Sequence, residues 1–345
     1  MSLPVQPPET DLFVPLPADG EVMDPYTVHT HYFGFSVPEA ALGCFIYLRY
    51  QPAFPLSQGG VNIFRGLDND AVLDADHVDY RNTMAWPTVD GNLIRTENGL
   101  EIEFPVPGEV ALIRYSSPDK SVRFTLEQRA TTPLLARGHI MPGEEEHHDP
   151  ARAAGGIEQF LHCTGELELR GERFDIDCHA VRDRSWLQVR REDPGGARRT
   201  PPLGWTPMYF GPDLALNAVS WEHPDTSPRW ASIYDLPPGT PTSYHAWVVR
   251  NGEPRWITDV RRDVLEHHPR SHVATRQRLD VTDDAGETYS FTGEAIALAA
   301  IPAWPNVTFH DSVYRWTDES GRTTHCTYQE IWFDEYQRAM KNYRM

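Results

Sequence analysis

Hydrophobic and polar residues alternate with a period of two along most of the chain, which is the pattern of half-buried β-strands. Only Asp334–Met345 has a helical pattern. Turn signals separate the alternating segments, among them Arg170-Gly171-Glu172, Asn251-Gly252, Asp284-Ala285-Gly286 and Ser320-Gly321. The alternation predicts strands over 27–35, 42–50, 122–129, 157–169, 174–181, 214–221, 229–235, 243–250, 255–260, 273–281, 288–296, 312–317 and 323–333.

Many short strands joined by tight turns predict an all-β fold of two antiparallel barrel or sandwich domains, with a short C-terminal helix. Two stretches lack periodicity and are rich in glycine, proline or charge: 141–156 and 194–204. We interpret the first as a long surface loop and the second as a domain boundary. The predicted domains are therefore 1–195 and 200–345.

Charge and motifs narrow the class of function. The chain has 31 Lys and Arg against 50 Asp and Glu, a net charge of −19, which argues against nucleic acid and anionic membranes as partners. Lysine occurs only at Lys120 and Lys341, and no glycine-rich nucleotide loop follows a strand, so no cofactor is predicted. No signal peptide or spanning segment is evident, and four cysteines without a CxxC pair favour reduced thiols; we expect a cytoplasmic protein without membrane insertion.

The densest polar cluster is Asp177–Trp186, at the end of a predicted strand. Here Asp183 lies between Arg182 and Arg184 in sequence, and Trp186 follows. Such a carboxylate could act as a general acid or base, with its pKa set by the arginines and Trp186 as an apolar wall. The structural alternative is that Asp183 caps a turn or forms an ion pair. His179 lies in the same cluster and could be a second proton carrier.

Two strands carry polar residues that could converge in a small-molecule pocket. One face of 323–333 presents Tyr328, Glu330 and Trp332. One face of 157–169 presents Glu158, Phe160, His162 and Thr164, but its opposite face is at least as apolar. Whether His162 points inward therefore stays open.

His29 and His31 share one face of a predicted strand, so their imidazoles could bind one metal ion. A metal site needs at least a third ligand, and no metal is predicted. The aromatic residues, 10 Trp, 14 Tyr and 14 Phe, either fill the cores or line a cavity.

Short motifs along most of the chain resemble the AttH-like superfamily of two lipocalin-like domains, which includes the carotenoid 1,2-hydratases. The motifs are Phe33–Glu39, Glu158-Gln159, Gly171–Arg173, Arg182–Trp186, Trp205–Phe210 and Tyr328–Glu330. The family turn usually reads Arg/Asp-His-Ser/Glu-Trp-Gly. This chain departs from it, with Arg184 in the histidine place and Leu187 in the glycine place.

The resemblance implies a cofactor-independent lyase that hydrates, dehydrates or otherwise eliminates from a hydrophobic phenolic, aromatic or terpenoid molecule. The candidate catalytic residues are Asp183, His179, His162 and Glu330; the candidate substrate-binding residues are Arg182, Trp186, Tyr209 and Tyr328. The alternatives are a carrier of an apolar ligand and a lipocalin-like cyclase or isomerase. Two copies of the chain could form a homodimer.

Overall fold

A computed structural model describes residues 5–137, 144–145, 155–190, 201–222, 227–231, 233–234, 240, 242–304 and 306–342. The helices are α1 (Pro228–Ala231) and α2 (Asp334–Asn342). The strands are β1 (Thr27–Val37), β2 (Leu42–Gln51), β3 (Leu56–Arg65), β4 (His77–Ala85), β5 (Thr88–Asp90), β6 (Leu93–Arg95), β7 (Leu100–Val106), β8 (Val110–Ser116), β9 (Val122–Ala130), β10 (Leu135–Ala136), β11 (Glu144–Glu145), β12 (Gly155–Leu169), β13 (Glu172–Arg190), β14 (Leu203–Trp205), β15 (Met208–Gly211), β16 (Leu214–Trp221), β17 (Ser243–Arg250), β18 (Glu253–His267), β19 (Ala274–Asp283), β20 (Thr288–Trp304), β21 (Val307–Asp318) and β22 (Thr323–Phe333).

The all-β prediction is confirmed: the strands form two antiparallel sheets, and a short helix follows the last strand. No strand is predicted between 56 and 116, where the structure has β3 to β8. The strand predicted over 229–235 is wrong, because helix α1 occupies Pro228–Ala231. Proline at the first helical position after Ser227 is a helix-start signal, and it outweighed the aromatic content of the segment. The predicted connections 141–156 and 194–204 lie largely outside the described residues.

The chain divides into two compact units, Pro4–Ile63 with Asp76–Arg191 and Phe64–Ala75 with Glu192–Met345. The first unit contains a sheet with the order β4-β3-β2-β1-β13-β12-β9-β8-β7-β6-β5. Alternate residues of its strands form the apolar core, including Phe33, Leu161 and Ala180. Both faces of β1 and β2 are buried, so these central strands carry few exposed side chains.

The second unit contains a sheet that closes on itself. Its order is β14-β22-β21-β20-β19-β18-β17-β16-β15, and β14 also pairs with β16. A closed sheet leaves few unpaired strand edges, and its inward residues form a second core that includes Leu216, Leu279 and Trp316. Among the described residues, neither helix has the length and hydropathy that crossing a bilayer would require.

A short segment from the first half of the sequence belongs to this second unit. Asn69 donates from Nδ2 to the carbonyl oxygens of Arg65, Gly66 and Leu298, at 3.0, 3.3 and 2.9 Å. The amide of Leu298 donates in turn to the carbonyl of Gly66 at 2.9 Å. Strand β20 is therefore bonded to a segment more than 200 residues away in sequence, a contact that no local pattern indicates.

Candidate functional site

Arg182 binds the N-terminal segment on the inner face of the first sheet, the face that carries the apolar core. Its Nη2 donates to Asp11 Oδ2 at 2.7 Å, and its Nε donates to Gln159 Oε1 at 2.8 Å. Asp11 also accepts the amide of Gly108 at 2.6 Å. Arg182 and Asp11 are both almost fully buried. This ion pair anchors the turn at Pro8–Asp11. Arg182 therefore has hydrogen-bond acceptors within the protein, Asp11 and Gln159.

Arg184 and Trp186 also pack against other segments of the chain. The guanidinium of Arg184 donates to the backbone carbonyls of Thr10 and Leu12, and it lies 5.5 Å from the ring centroid of Trp186. Trp186 is half-buried, and its ring lies over Gly155, where an added Cβ would come within 2.4 Å of it. Both side chains therefore hold the N-terminal segment and the start of β12 in place.

His29 and His31 are buried beside these arginines. His29 Nδ1 accepts the amide of Leu187 at 2.9 Å, and His31 Nδ1 lies 3.2 Å from the hydroxyl of Tyr50. Burial, with a further contribution from Arg184, lowers the pKa of His29 to about 3 and that of His31 well below 6.5. Among the residues that the structure describes, no group of three or more His, Cys, Asp or Glu side chains has the geometry to hold a metal ion.

The neutral histidines predict an acid-sensitive fold. Below pH 6.5 the two histidines bind protons in the unfolded chain but not in the folded chain. Their contribution to the free energy of unfolding is therefore fully present above this pH and is lost as the pH falls through it. Each such histidine adds a slope of up to about 1.4 kcal/mol per pH unit. We expect His31→Gln to reduce the difference in unfolding free energy between pH 7.5 and 5.5, measured by urea denaturation.

The matched control is His162→Gln, because the side chain of His162 is 40% exposed. This variant measures how far the pH slope changes when an exposed histidine, rather than a buried one, is replaced. A His31→Gln variant with an unchanged slope would mean that His31 carries a proton in the folded state.

The opposite face of the same sheet, here called the carboxylate face, brings two acids together. Glu158 on β12 lies directly opposite Asp183 on β13, and Asp183 lies opposite Tyr32 on β1. Directly opposite side chains of an antiparallel pair project from the same face, with Cβ atoms about 4.5–5.5 Å apart. Glu158 and Tyr32 are buried, and Asp183 is half-buried. The three strands therefore place two carboxyl groups and a phenol in one row.

Buried aromatic and hydroxyl groups extend the carboxylate face. The ring of Tyr32 lies 5.4 Å from that of Phe45, which lies 5.7 Å from that of Tyr47. The hydroxyls of Thr30 and Ser185 are hydrogen-bonded at 2.7 Å. An aromatic surface beside two acids can hold an apolar molecule while one acid donates a proton and the other accepts one.

Two buried guanidinium groups also lie close to the row. Arg49 on β2 lies opposite Thr30, and Arg190 donates from Nη2 to Ser185 Oγ at 3.3 Å. Both arginines are 2% exposed. Positive charge at these positions would stabilise negative charge that develops on a bound oxygen.

His162 and His179 lie further along the same face. They pair across β12 and β13 with ring centroids 5.2 Å apart, and His162 Nε2 lies 2.7 Å from Oδ1 of Asp177. Burial, and then the neighbouring His162, lowers the pKa of His179. Asp183 lies four residue steps along the strand from His179, about 13 Å. The structure therefore does not bring these histidines to the carboxyl pair.

Tyr328 and Glu330 lie in the second unit, where Arg262 joins them. Arg262 Nη2 donates to Glu330 Oε1 at 2.5 Å and to the hydroxyl of Tyr328, while its Nε donates to Gln277 Oε1 at 2.8 Å. Tyr328 donates to Glu330 Oε1 at 2.5 Å, and Trp332 Nε1 donates to Glu330 Oε2 at 2.8 Å. Both carboxylate oxygens of Glu330 therefore have donors within the protein.

The cluster is also tightly packed. A Cβ added at Gly204 would lie 2.6 Å from Arg262 Nη1 and 2.8 Å from the hydroxyl of Tyr328. Burial alone would lower the pKa of Arg262, but the neighbouring Tyr328 and Glu330 raise it above its ordinary value. Tyr209 lies apart on β15, where its carbonyl accepts the hydroxyl of Thr324 at 2.6 Å. The cluster is therefore a buried ion pair of the second core, whose charged groups are hydrogen-bonded to neighbouring side chains.

The pairing of Glu158 with Asp183 had a signal in the sequence. Arg170 and Gly171 both adopt positive φ, 50° and 90°, as a two-residue type I′ hairpin turn requires. Such a turn fixes Leu169 opposite Glu172. Counting equally along both strands from that pair brings Glu158 opposite Asp183. The contact between Arg182 and Asp11 had no comparable signal.

The fold and these contacts define an all-β protein of two antiparallel sheets, each with buried charged groups among its aromatic residues. The chain belongs to the family described as a domain of unknown function, DUF7064, whose model matches residues 21–334. A search of curated proteins finds no match.

Solved structures similar to the chain include the crystal structure of CghA, with 12% sequence identity, 90% of each chain covered and a TM-score of 0.48. Another is that of kievitone hydratase from Nectria haematococca, with 11% identity, 89% of each chain covered and a TM-score of 0.40.

Proposed function

We propose that this protein is a cofactor-independent lyase that adds water to, or removes water from, a hydrophobic phenolic, aromatic or terpenoid molecule bound at the carboxylate face. The observation that carries the proposal is the position of Glu158 directly opposite Asp183 on a buried, aromatic-rich surface. One carboxyl group can accept a proton while the other donates one, so this pair can support an elimination without a cofactor.

The chemistry divides between the two acids. In dehydration, one carboxylate removes a proton from carbon while the other, protonated, donates to the departing hydroxyl, which leaves as water. Hydration is the reverse reaction. Neither direction changes the net oxidation state of the substrate, so no oxidant or reductant is needed. Both groups project from one face, so the proton would be removed and delivered on the same side of the substrate. Asp183, the more exposed of the two, is the group that substrate reaches first.

Tyr32 would donate its hydroxyl to a substrate oxygen beside this pair. Its orientation depends on Gly34, because a Cβ at that position would lie 2.9 Å from the Tyr32 hydroxyl. The rings of Phe45 and Tyr47 would contact the apolar body of the substrate. Arg49 and Arg190 would stabilise a phenolate or enolate that forms as the proton is lost.

Membership of the AttH-like superfamily is part of this proposal and rests on the short motifs of the sequence. The motif position usually held by histidine is Arg184 here, and its guanidinium binds the backbone at Thr10 and Leu12. We therefore assign proton transfer to Asp183 and Glu158.

A direct test incubates desalted protein with a panel of phenolic, aromatic and terpenoid compounds and follows their masses. The proposal expects at least one compound to gain or lose one water, at a rate proportional to protein concentration. If a compound co-purifies with the protein and its mass never changes, the protein is a carrier and the proposal fails. A product of unchanged mass would indicate a cyclase or isomerase.

A further inference from the structure

Two of the four cysteines lie side by side in the first sheet. Cys163 on β12 is directly opposite Cys178 on β13, and both side chains belong to the apolar core of the inner face. Opposite residues of an antiparallel pair have Cα atoms about 4.5–5.5 Å apart. A disulfide requires a Cα separation of about 4.4–6.8 Å, so the backbone already meets this requirement.

Each sulfur atom accepts a hydrogen bond from a neighbouring group. Gln128 Nε2 donates to Cys163 Sγ at 3.4 Å, and the amide of Ser36 donates to Cys178 Sγ at 3.4 Å. The hydrogen bond from Cys163 is the main cause that lowers the pKa of Cys178, against the opposing effect of burial. These donors favour the thiolate of Cys178, the form that reacts with oxidants.

Exposure distinguishes the two residues. The residue exposure is 7% at Cys178 and 0% at Cys163, so a small oxidant reaches Cys178 first. Cys163 is then the thiol next to the oxidised sulfur. This division of roles, an attacking thiolate and a resolving thiol, is that of reversible redox cysteines.

We infer that Cys163 and Cys178 form a reversible disulfide in response to peroxide. The Cys178 thiolate attacks one peroxide oxygen, the O–O bond breaks, hydroxide leaves, and a sulfenic acid forms. The Cys163 thiol then attacks the Cys178 sulfur, the S–O bond breaks, and water leaves. In total two thiols are oxidised by two electrons and one hydrogen peroxide is reduced to two water molecules. A dithiol reductant reverses the reaction by thiol–disulfide exchange.

The disulfide would covalently fix the hairpin of β12 and β13. The same two strands carry Glu158 and Asp183, five residues from each cysteine. Oxidation would therefore lock the register of the strand pair that holds the carboxyl groups. The inference stands on the thiol geometry alone and does not require that the carboxyl groups be catalytic.

The test treats the folded protein with hydrogen peroxide, blocks remaining thiols with a maleimide after unfolding, and counts the labels by mass spectrometry. We expect a loss of two labels, a crosslinked peptide pair that contains Cys163 and Cys178, and recovery of all labels after treatment with dithiothreitol. Cys163→Ser and Cys178→Ser should each abolish the crosslink, whereas Cys326→Ser, which removes a buried cysteine of the second unit, should retain it. Cys163→Ala and Cys178→Ala repeat the comparison in case a buried serine hydroxyl unfolds the protein.

A folded protein that keeps all its labels under peroxide would overturn the inference. So would a crosslink through Cys44 or Cys326, or one that forms only after the protein is unfolded. An irreversible gain of oxygen at Cys178 without a crosslink would show that Cys163 does not resolve the sulfenic acid.

Discussion

Replacement of Asp183 by asparagine is expected to reduce turnover of the converted substrate by about 100- to 10,000-fold, the range for loss of a general acid or base. Glu158→Gln should have an effect of similar size, because water addition or removal needs both a proton donor and a proton acceptor. The two variants together should reduce turnover little further than either alone, since the groups act as a unit. Steady-state kinetics with a compound identified in the panel measures all three.

The matched control is Asp177→Asn, the same substitution on the same strand and the same face of the sheet. The side chain of Asp177 is 79% exposed and contacts His162, so the variant should retain full turnover. Circular dichroism and thermal unfolding must show that Asp183→Asn is folded. A folded Asp183→Asn variant with turnover like that of Asp177→Asn would remove Asp183 from the mechanism.

The largest effect on stability is expected at Arg262. Arg262→Leu leaves the buried carboxylate of Glu330 without its cation, and breaking a buried ion pair in this way costs about 3–5 kcal/mol of unfolding free energy. The double variant Arg262→Leu/Glu330→Leu removes both charges and should recover a substantial part of that loss. Urea denaturation at neutral pH measures the free energies.

An exposed ion pair of the same unit provides the comparison. Arg278 Nε lies 2.9 Å from Asp280, but the Arg278 side chain is 52% exposed, so Arg278→Leu should cost less than about 1 kcal/mol. If Arg262→Leu costs no more than this control, the ion pair between Arg262 and Glu330 does not stabilise the second unit. A site for substrate at Tyr328 and Glu330 would then regain support.

The sequence predicted the fold class because alternation is a local signal. Strands such as β12 combine alternation with a clear turn and are predicted from the sequence. Strand β7 is not predicted, although Leu100, Ile102 and Phe104 alternate with glutamates, and neither is β3, where Gly59 and Gly60 interrupt the pattern. Glycine residues and polar faces weaken periodicity even where the backbone is extended.

The candidate site was partly predictable for the same reason. Asp183 was identified from its neighbours in sequence, and Glu158 follows once the turn at Arg170 and Gly171 sets the register. The role of Arg182 was not accessible, because its partner Asp11 is 171 residues away. Neighbours along a strand point to opposite faces, so Arg182 and Asp183 serve different sides of the sheet. Tertiary contacts of this kind carry no periodic signal.

The most direct test of the central claim compares product masses for two forms of the protein in one assay. Desalted wild type and the folded Asp183→Asn/Glu158→Gln double variant are each incubated with a compound that the wild type converts. The account predicts a product that differs from the compound by one water, formed by the wild type and at least about 100-fold more slowly by the double variant. Formation of the same product at equal rates by both proteins would contradict it.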